Sequence, residues 1–232
     1  MRDLLRANPA VAVGLVLGVV LIVIALLGPV VMNADPNAVD ISVRFAGPSL
    51  SHPLGTDDLG RDTFTRLIYG SRMSLFIAVV SAVLGTVAGQ IVGLLSGFLG
   101  GWADVFIMRI VDLFFAIPTL LVAIGIVALF GASATTTILA LGIAYTPFYS
   151  RLIRGAVVGV RSRTYVDASR VLGSSGFRLL RADILPGVLP IALVQSTALL
   201  GYALVDEASL GFLGLGVQPP DASWGAMINA GR

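Results

Sequence analysis

Long apolar runs separated by a few short polar stretches set the pattern of this chain. Five runs, at residues 10–31, 73–98, 105–130, 135–158 and 187–205, are long enough to span, since about 20 helical residues cross a hydrocarbon core of about 30 Å. The polar stretches divide the chain into a tip with a first span (1–32), an external loop (33–72) and a core (73–232) with a polar island at 159–186 and an external tail at 206–232. The fold class predicted is all-α, a polytopic transmembrane bundle of five spans. Arg2 and Arg6 precede the first run as they would in a signal peptide. That run is too long for the apolar core of such a peptide, so it reads as an uncleaved first span.

The cations fix the orientation. Seven of the fifteen cationic residues fall between Arg151 and Arg181, and Arg2 and Arg6 flank the first span. Excess arginine marks cytoplasmic segments, so the N-terminus and the island are both expected inside, four spans apart. The loop at 33–72 carries five Asp against four Arg and suits the outside. Composition agrees, with 56% hydrophobic and 12% charged residues, a balance that places the chain in a bilayer. The net charge of +2 is too small for a nucleic-acid surface, so no nucleic acid is expected. The absence of Cys removes thiol nucleophiles and thiolate metal sites.

Within the spans, Gly85, Gly89, Gly93 and Gly97 recur every fourth residue on one helix face. Such a face lets backbones approach closely, either within the chain or against a second membrane subunit. Pro118 and Pro147 interrupt the third and fourth spans and are expected to kink them. Arg109 and Asp112 share a helix face and read as a neutralising pair rather than a proton relay. Asp206 and Glu207 close the fifth span, as interfacial acids or as a seal at the external mouth of a pathway. The single histidine, His52, has no partners for catalysis or metal binding. No catalytic and no metal residues are assigned. The glycines of the tail are followed by no GK[ST], so no phosphate loop is present.

The island itself carries Asp167-Ala168-Ser169, Gly173 six positions after Asp167, and Ile184-Leu185-Pro186. This pattern resembles the EAA loop of ABC-importer permeases, with Asp167 for the usual Glu, Ser169 for the second Ala, and Asp183 where the pattern has an apolar residue. His52-Pro53-Leu54-Gly55-Thr56-Asp57 with Leu59-Gly60-Arg61-Asp62 is similar to the segment before the second span in the C-type permeases of dipeptide, oligopeptide and nickel importers. Gly211 through Pro220 and Trp224-Gly225 resemble the signature after the fifth span of the same group, and Arg109-Ile110-Val111-Asp112 and Ala116-Ile117-Pro118 extend the likeness.

The resemblance implies a subunit of the bacterial cytoplasmic membrane that imports dipeptides or oligopeptides. Nickel and glutathione are the alternative substrates. It implies two short coupling helices that dock on cytoplasmic ATPases, carried here by Asp167, Ala168, Ser169, Gly173, Phe177, Leu185 and Pro186. The partners implied are a second permease, two ATPase subunits that use ATP and Mg, an external solute-binding protein and lipid. The chain itself is expected to bind no cofactor and to be no enzyme. A sixth span follows the Trp-Gly element in the family, and the chain reads as truncated before it, at Arg232. An ATP-independent channel or carrier is the competing class, for which inverted repeats and midplane ionisable groups are expected.

Overall fold

The computed structural model describes residues 9–231, all of its long elements being helices. Arg2 and Arg6, which carry the inside orientation of the N-terminus, lie outside the described residues. Helix α1 (Pro9–Met32) is apolar on every side. Of residues 12–32 only Ala25 is buried, so α1 leans on the bundle rather than entering it. Its C-terminal end is tied to the next helix by the Tyr69 hydroxyl, which donates to the Pro29 carbonyl at 3.1 Å.

Helix α2 (Thr63–Leu99) is longer than the predicted second span. It begins ten residues early because Asp62 caps it, accepting from the Thr65 N–H at 2.7 Å, and a capped first turn needs no apolar residue to start. The stretch 33–72, expected as an external loop, is therefore helical from Thr63 onward.

The third predicted span is not one helix. The stretch 105–130 divides into α3 (Gly101–Phe115) and α4 (Thr119–Phe130), bent by 80°. Pro118 excludes the helical conformation from Ile117 and cannot donate a hydrogen bond itself, so the chain breaks where the kink was expected. Pro147 behaves differently, since α5 (Ala134–Arg161) runs through it unbroken.

Glycine decides how α2 and α5 pack. A Cβ on Gly85 or Gly89 would come within 2.7 Å of Tyr145 or Tyr149 Cβ. On Gly93 it would meet the Ser150 carbonyl at 2.6 Å, and on Gly97 it would meet Val157 at 2.8 Å. The small-residue stripe is thus filled from inside the chain. Residue numbers rise together on both helices, so α2 and α5 run parallel. The α3–α4 pair carries the chain back between them, with 15 and 12 helical residues on either side of its bend. By length and apolarity three helices qualify as spans, or four counting the bent pair. Helix α5 follows the course of α2 although its Thr, Tyr and Arg residues lower its apolarity.

Polar groups on α5 are satisfied by neighbours. Asp104 accepts from Arg154 Nε at 2.6 Å and from the Ser96 hydroxyl. Asp112 pairs with Arg151, whose guanidinium lies 4.0 Å over the Phe115 ring. The predicted Arg109–Asp112 pair is corrected on this point. Arg151, brought in by the fold from 39 positions away, takes the carboxylate that Arg109 was expected to hold.

After α5 come α6 (Thr164–Val171) and α7 (Gly176–Arg178). A π-turn over Leu179–Ile184 then leads into α8 (Leu185–Phe212). Helix α8 passes the predicted limit at Val205 by seven residues, so the start of the tail is helical. It is antiparallel to α5. Tyr149 donates to the Ala192 carbonyl at 2.8 Å, and Tyr145 donates to Asp206 at 2.8 Å near the other end. The short α9 (Trp224–Ala230) closes the described chain.

Candidate functional site

The family motifs read from the sequence gather at the two ends of this bundle. At one end the segment from His52 to Asp62 folds into a knot of opposite charges. Asp57 accepts from Arg61 Nε at 2.7 Å and from the Leu59 and Arg61 N–H groups at 2.9 Å each. Arg66 donates to the Pro36 carbonyl and Asn37 Oδ1, both at 3.0 Å. His52 Nδ1 lies 3.1 Å from Asp62, so the lone histidine serves this knot.

The tail motif returns to the same end. The Trp224 N–H donates to the Ser74 hydroxyl at 3.0 Å and its indole donates to the Leu67 carbonyl at 3.2 Å. Gly211 lies so close to Gly225 that a Cβ would meet it at 2.7 Å. Glu207 is fully buried at this junction, without a hydrogen bond to either oxygen among the described residues. The adjacent acids thus have different fates, because Asp206 is held from α5 by Tyr145.

Burial pushes Asp57 upward, but the Arg61 and Leu59 N–H groups and the Arg61 guanidinium outweigh it and hold the carboxyl below its ordinary value of 3.8. A carboxyl depressed on folding contributes stability above its unfolded value, and this is lost as pH falls through the folded one. Thermal stability of the purified protein is therefore expected to be insensitive to this group from pH 7 to 5 and to drop below about pH 4. Asp57→Asn should lower stability at neutral pH and flatten the acid limb. An unchanged acid limb in that variant would remove Asp57 from the account.

At the other end α6, α7 and the π-turn form a hairpin beyond the bundle. Helix α6 ends in a glycine turn. The Ser174 N–H bonds to the Ser169 carbonyl at 3.1 Å and the Gly173 N–H to the Arg170 carbonyl at 3.0 Å, with Gly173 at φ 82°. This is the double bond pattern of a Schellman cap, which needs a left-handed residue at the glycine position. Ser175 then caps the next short helix, accepting from the Arg178 N–H. Two short helices on either side of a glycine turn are what the spacing predicted.

The hairpin is anchored by its apolar underside and by one long bond. Val166 and Ile184 are fully buried and Leu179 nearly so. The Tyr165 hydroxyl donates to the Asp183 carbonyl at 3.3 Å, which spans the hairpin. The π-turn starts four residues before Asp183 and carries it, at the one position where the sequence departs from the apolar pattern.

The tip faces away from everything else. Asp167 is exposed and paired with Arg170 at 3.0 Å, and Ala168 is exposed beside it. Ser169 is half-buried and its carbonyl closes the cap. Leu185 and Pro186 form the first turn of α8, where a proline costs no helical bond. Phe177 is 73% exposed. Sequence reading passed over Val171 and Leu172, which are 87% and 86% exposed. Their signal was present as two consecutive apolar residues before a helix-ending glycine, where solvent would favour polar ones. Together the three side chains make an apolar tip flanked by Arg170, Arg178 and Asp167, a shape suited to insertion into a partner groove.

Residues 89–232 match the family model described as the binding-protein-dependent transport system inner membrane component. The glutathione transport system permease of Pectobacterium atrosepticum is 40% identical over 232 residues, covering 100% of this chain and 77% of that one. The dipeptide transport system permease of Alkalihalophilus pseudofirmus is 37% identical over 228 residues, 98% of this chain and 75% of the relative. Among solved structures, an inward-facing form of the MetNI methionine ABC transporter matches 66% of this chain and 76% of its own. Its TM-score is 0.59 at 23% identity, a likeness of fold.

Proposed function

Because this chain belongs to the family of binding-protein-dependent transport system inner membrane components, we propose that it is the permease subunit of an ATP-driven importer of dipeptides or oligopeptides. Its hairpin of α6 and α7 docks on cytoplasmic ATPases. The observation that carries the reading is the tip itself, with Val171, Leu172 and Phe177 held in water by a glycine-capped turn whose underside is buried. Nothing within the chain uses that surface among the described residues.

In this reading the N-terminus is cytoplasmic and the substrate passes between this chain and a second permease. Two ATPase subunits supply ATP hydrolysis with Mg, an external solute-binding protein delivers the peptide, and this chain binds neither nucleotide nor metal. Dipeptide and glutathione relatives of similar identity support a short peptide as cargo. Asp167, Ala168, Ser169, Gly173, Phe177, Leu185 and Pro186 carry coupling, Gly173 by setting the turn and Phe177 by contact.

The test is to tag the chain, purify it from native membranes in mild detergent and identify what accompanies it. A second permease and ATPase subunits are the result expected. Isolation of the chain alone would overturn the reading. Within the complex, Gly173→Val should cut peptide uptake about tenfold, since a β-branched side chain in the left-handed region costs about 1–2 kcal/mol. Open space surrounds Gly173, so membrane insertion should be unaffected. Uptake equal to wild type would count against the turn as the coupling element.

A further inference from the structure

Helix α8 has a polar edge that no packing within the chain explains. Gln195, Tyr202, Asp206 and Ser209 are spaced by seven, four and three residues, which at 100° per residue places them within a sector of about 60°. They extend about 21 Å along the axis. The buried face of the helix, with Ala192, Leu199, Ala203 and Leu210, lies beside this sector. Leu189, Leu193 and Leu200 occupy the opposite edge and are exposed. One edge is therefore suited to lipid and the other is not, because polar side chains within a bilayer face protein or a water-filled cavity.

Two of these four side chains are uncommitted among the described residues, while Ser209 donates to the Val205 carbonyl of its own helix at 2.8 Å. Tyr202 is 66% exposed, and neither its hydroxyl nor the Gln195 amide has a hydrogen-bond partner among the described residues. Asp206 is half-buried and accepts one bond, from Tyr145 at 2.8 Å, to its Oδ2. No arginine pairs with it among the described residues, in contrast to Asp104 and Asp112. The Tyr145 hydroxyl occupies Oδ2 and leaves Oδ1 available to a further donor. Glu207, the next residue, is fully buried and does not share this edge.

We propose that the edge formed by Gln195, Tyr202, Asp206 and Ser209 lines the substrate route, and that Asp206 is the fixed negative charge that receives the α-ammonium of a passing peptide. The proposal rests on the transport reading above and adds to it the residue that recognises the charged end of the cargo. Tyr145 is a positioning residue that aims the carboxylate from the buried side.

The chain contains no Cys, so single cysteines can be placed at Tyr202 and Leu193 in the assembled importer in membranes. They would be treated from outside with cationic trimethylammonium-ethyl and anionic sulfonatoethyl methanethiosulfonate, and the label read on this chain by mass. Tyr202→Cys is expected to react and Leu193→Cys to stay unlabelled. After normalisation to a free thiol, the cationic reagent should be favoured about tenfold at Tyr202→Cys, one helical turn from Asp206. Adding Asp206→Asn should abolish the preference, while Tyr145→Phe, which keeps the charge, should retain it. Tyr202→Cys as inert as Leu193→Cys, or a preference that survives Asp206→Asn, would overturn the proposal.

This labelling does not depend on what the importer carries. Peptide uptake measured in parallel should fall about tenfold in Asp206→Asn and recover in Asp206→Glu. Failure of the wild type to take up any peptide would defeat the substrate reading while the labelling still decides the role of the edge. Equal uptake losses in Asp206→Asn and Tyr145→Phe would show that only the helix contact matters and would also overturn the proposal.

Discussion

Gly93→Leu is expected to remove the protein from the membrane. The contact between α2 and α5 is built on four glycines, and at Gly93 the nearest obstacle to a Cβ is the Ser150 backbone carbonyl at 2.6 Å, with Ile153 Cβ at 2.8 Å. Neither is the movable end of a flexible side chain, so the helices must separate along their length. Separation would break the packing at Gly85, Gly89 and Gly97 together. In a bilayer that packing is itself the stabilising term, because lipid supplies no hydrophobic drive to hold helices together. A cost of about 3 kcal/mol or more follows from the overpacking, a large part of the stability of an ordinary domain. Membrane abundance by immunoblot and thermal stability in detergent would both report it. Gly125→Leu is the control, since nothing lies within 4 Å of a Cβ there. Normal abundance of Gly93→Leu would mean that the two helices do not meet as described.

The double change Leu172→Asp with Phe177→Asp is expected to leave the fold intact and to separate the chain from its ATPases. Both side chains are mostly exposed, 86% and 73%. Replacing them should shift melting temperature little, as surface changes usually stay within about 0.5 kcal/mol. If they insert into a partner groove, each loses about 1.5–3 kcal/mol of apolar burial, and the carboxylates add a desolvation cost. ATPase recovery on co-purification should therefore drop by at least about a hundredfold. Peptide uptake should be lost with it. Recovery equal to wild type, with an unchanged melting profile, would show that the tip is not the docking element.

The two ends of the molecule differ in what holds them, and this bears on how such a subunit works. The end that holds His52 is knit by charge pairs and by the return of the tail onto α2, through Arg66, Trp224 and the Gly211–Gly225 contact. The hairpin at the other end stands on a few buried residues and one hydrogen bond across it. Helix α8 joins the ends, starting at Leu185 in the hairpin and reaching Asp206 and Glu207 at the junction with the tail.

Sequence alone determined the class, the apolar segments and the position of the hairpin, because these depend on local composition and spacing. Twenty apolar residues span a bilayer whatever surrounds them, and a glycine closes a Schellman cap through bonds to its own helix. A kink was legible at both Pro118 and Pro147, but only at Pro118 does the helix give way, and there it breaks outright. Only the tertiary structure decided which face each polar or small residue met. The glycine stripe of α2 could pack within the chain or against another subunit until Tyr145 and Tyr149 were placed against it. Asp112 chose Arg151 over Arg109, and the neighbours Asp206 and Glu207 went to different helices, because partners distant in sequence compete with those nearby. Such choices are set by how helices cross and turn relative to one another, which no local spacing encodes.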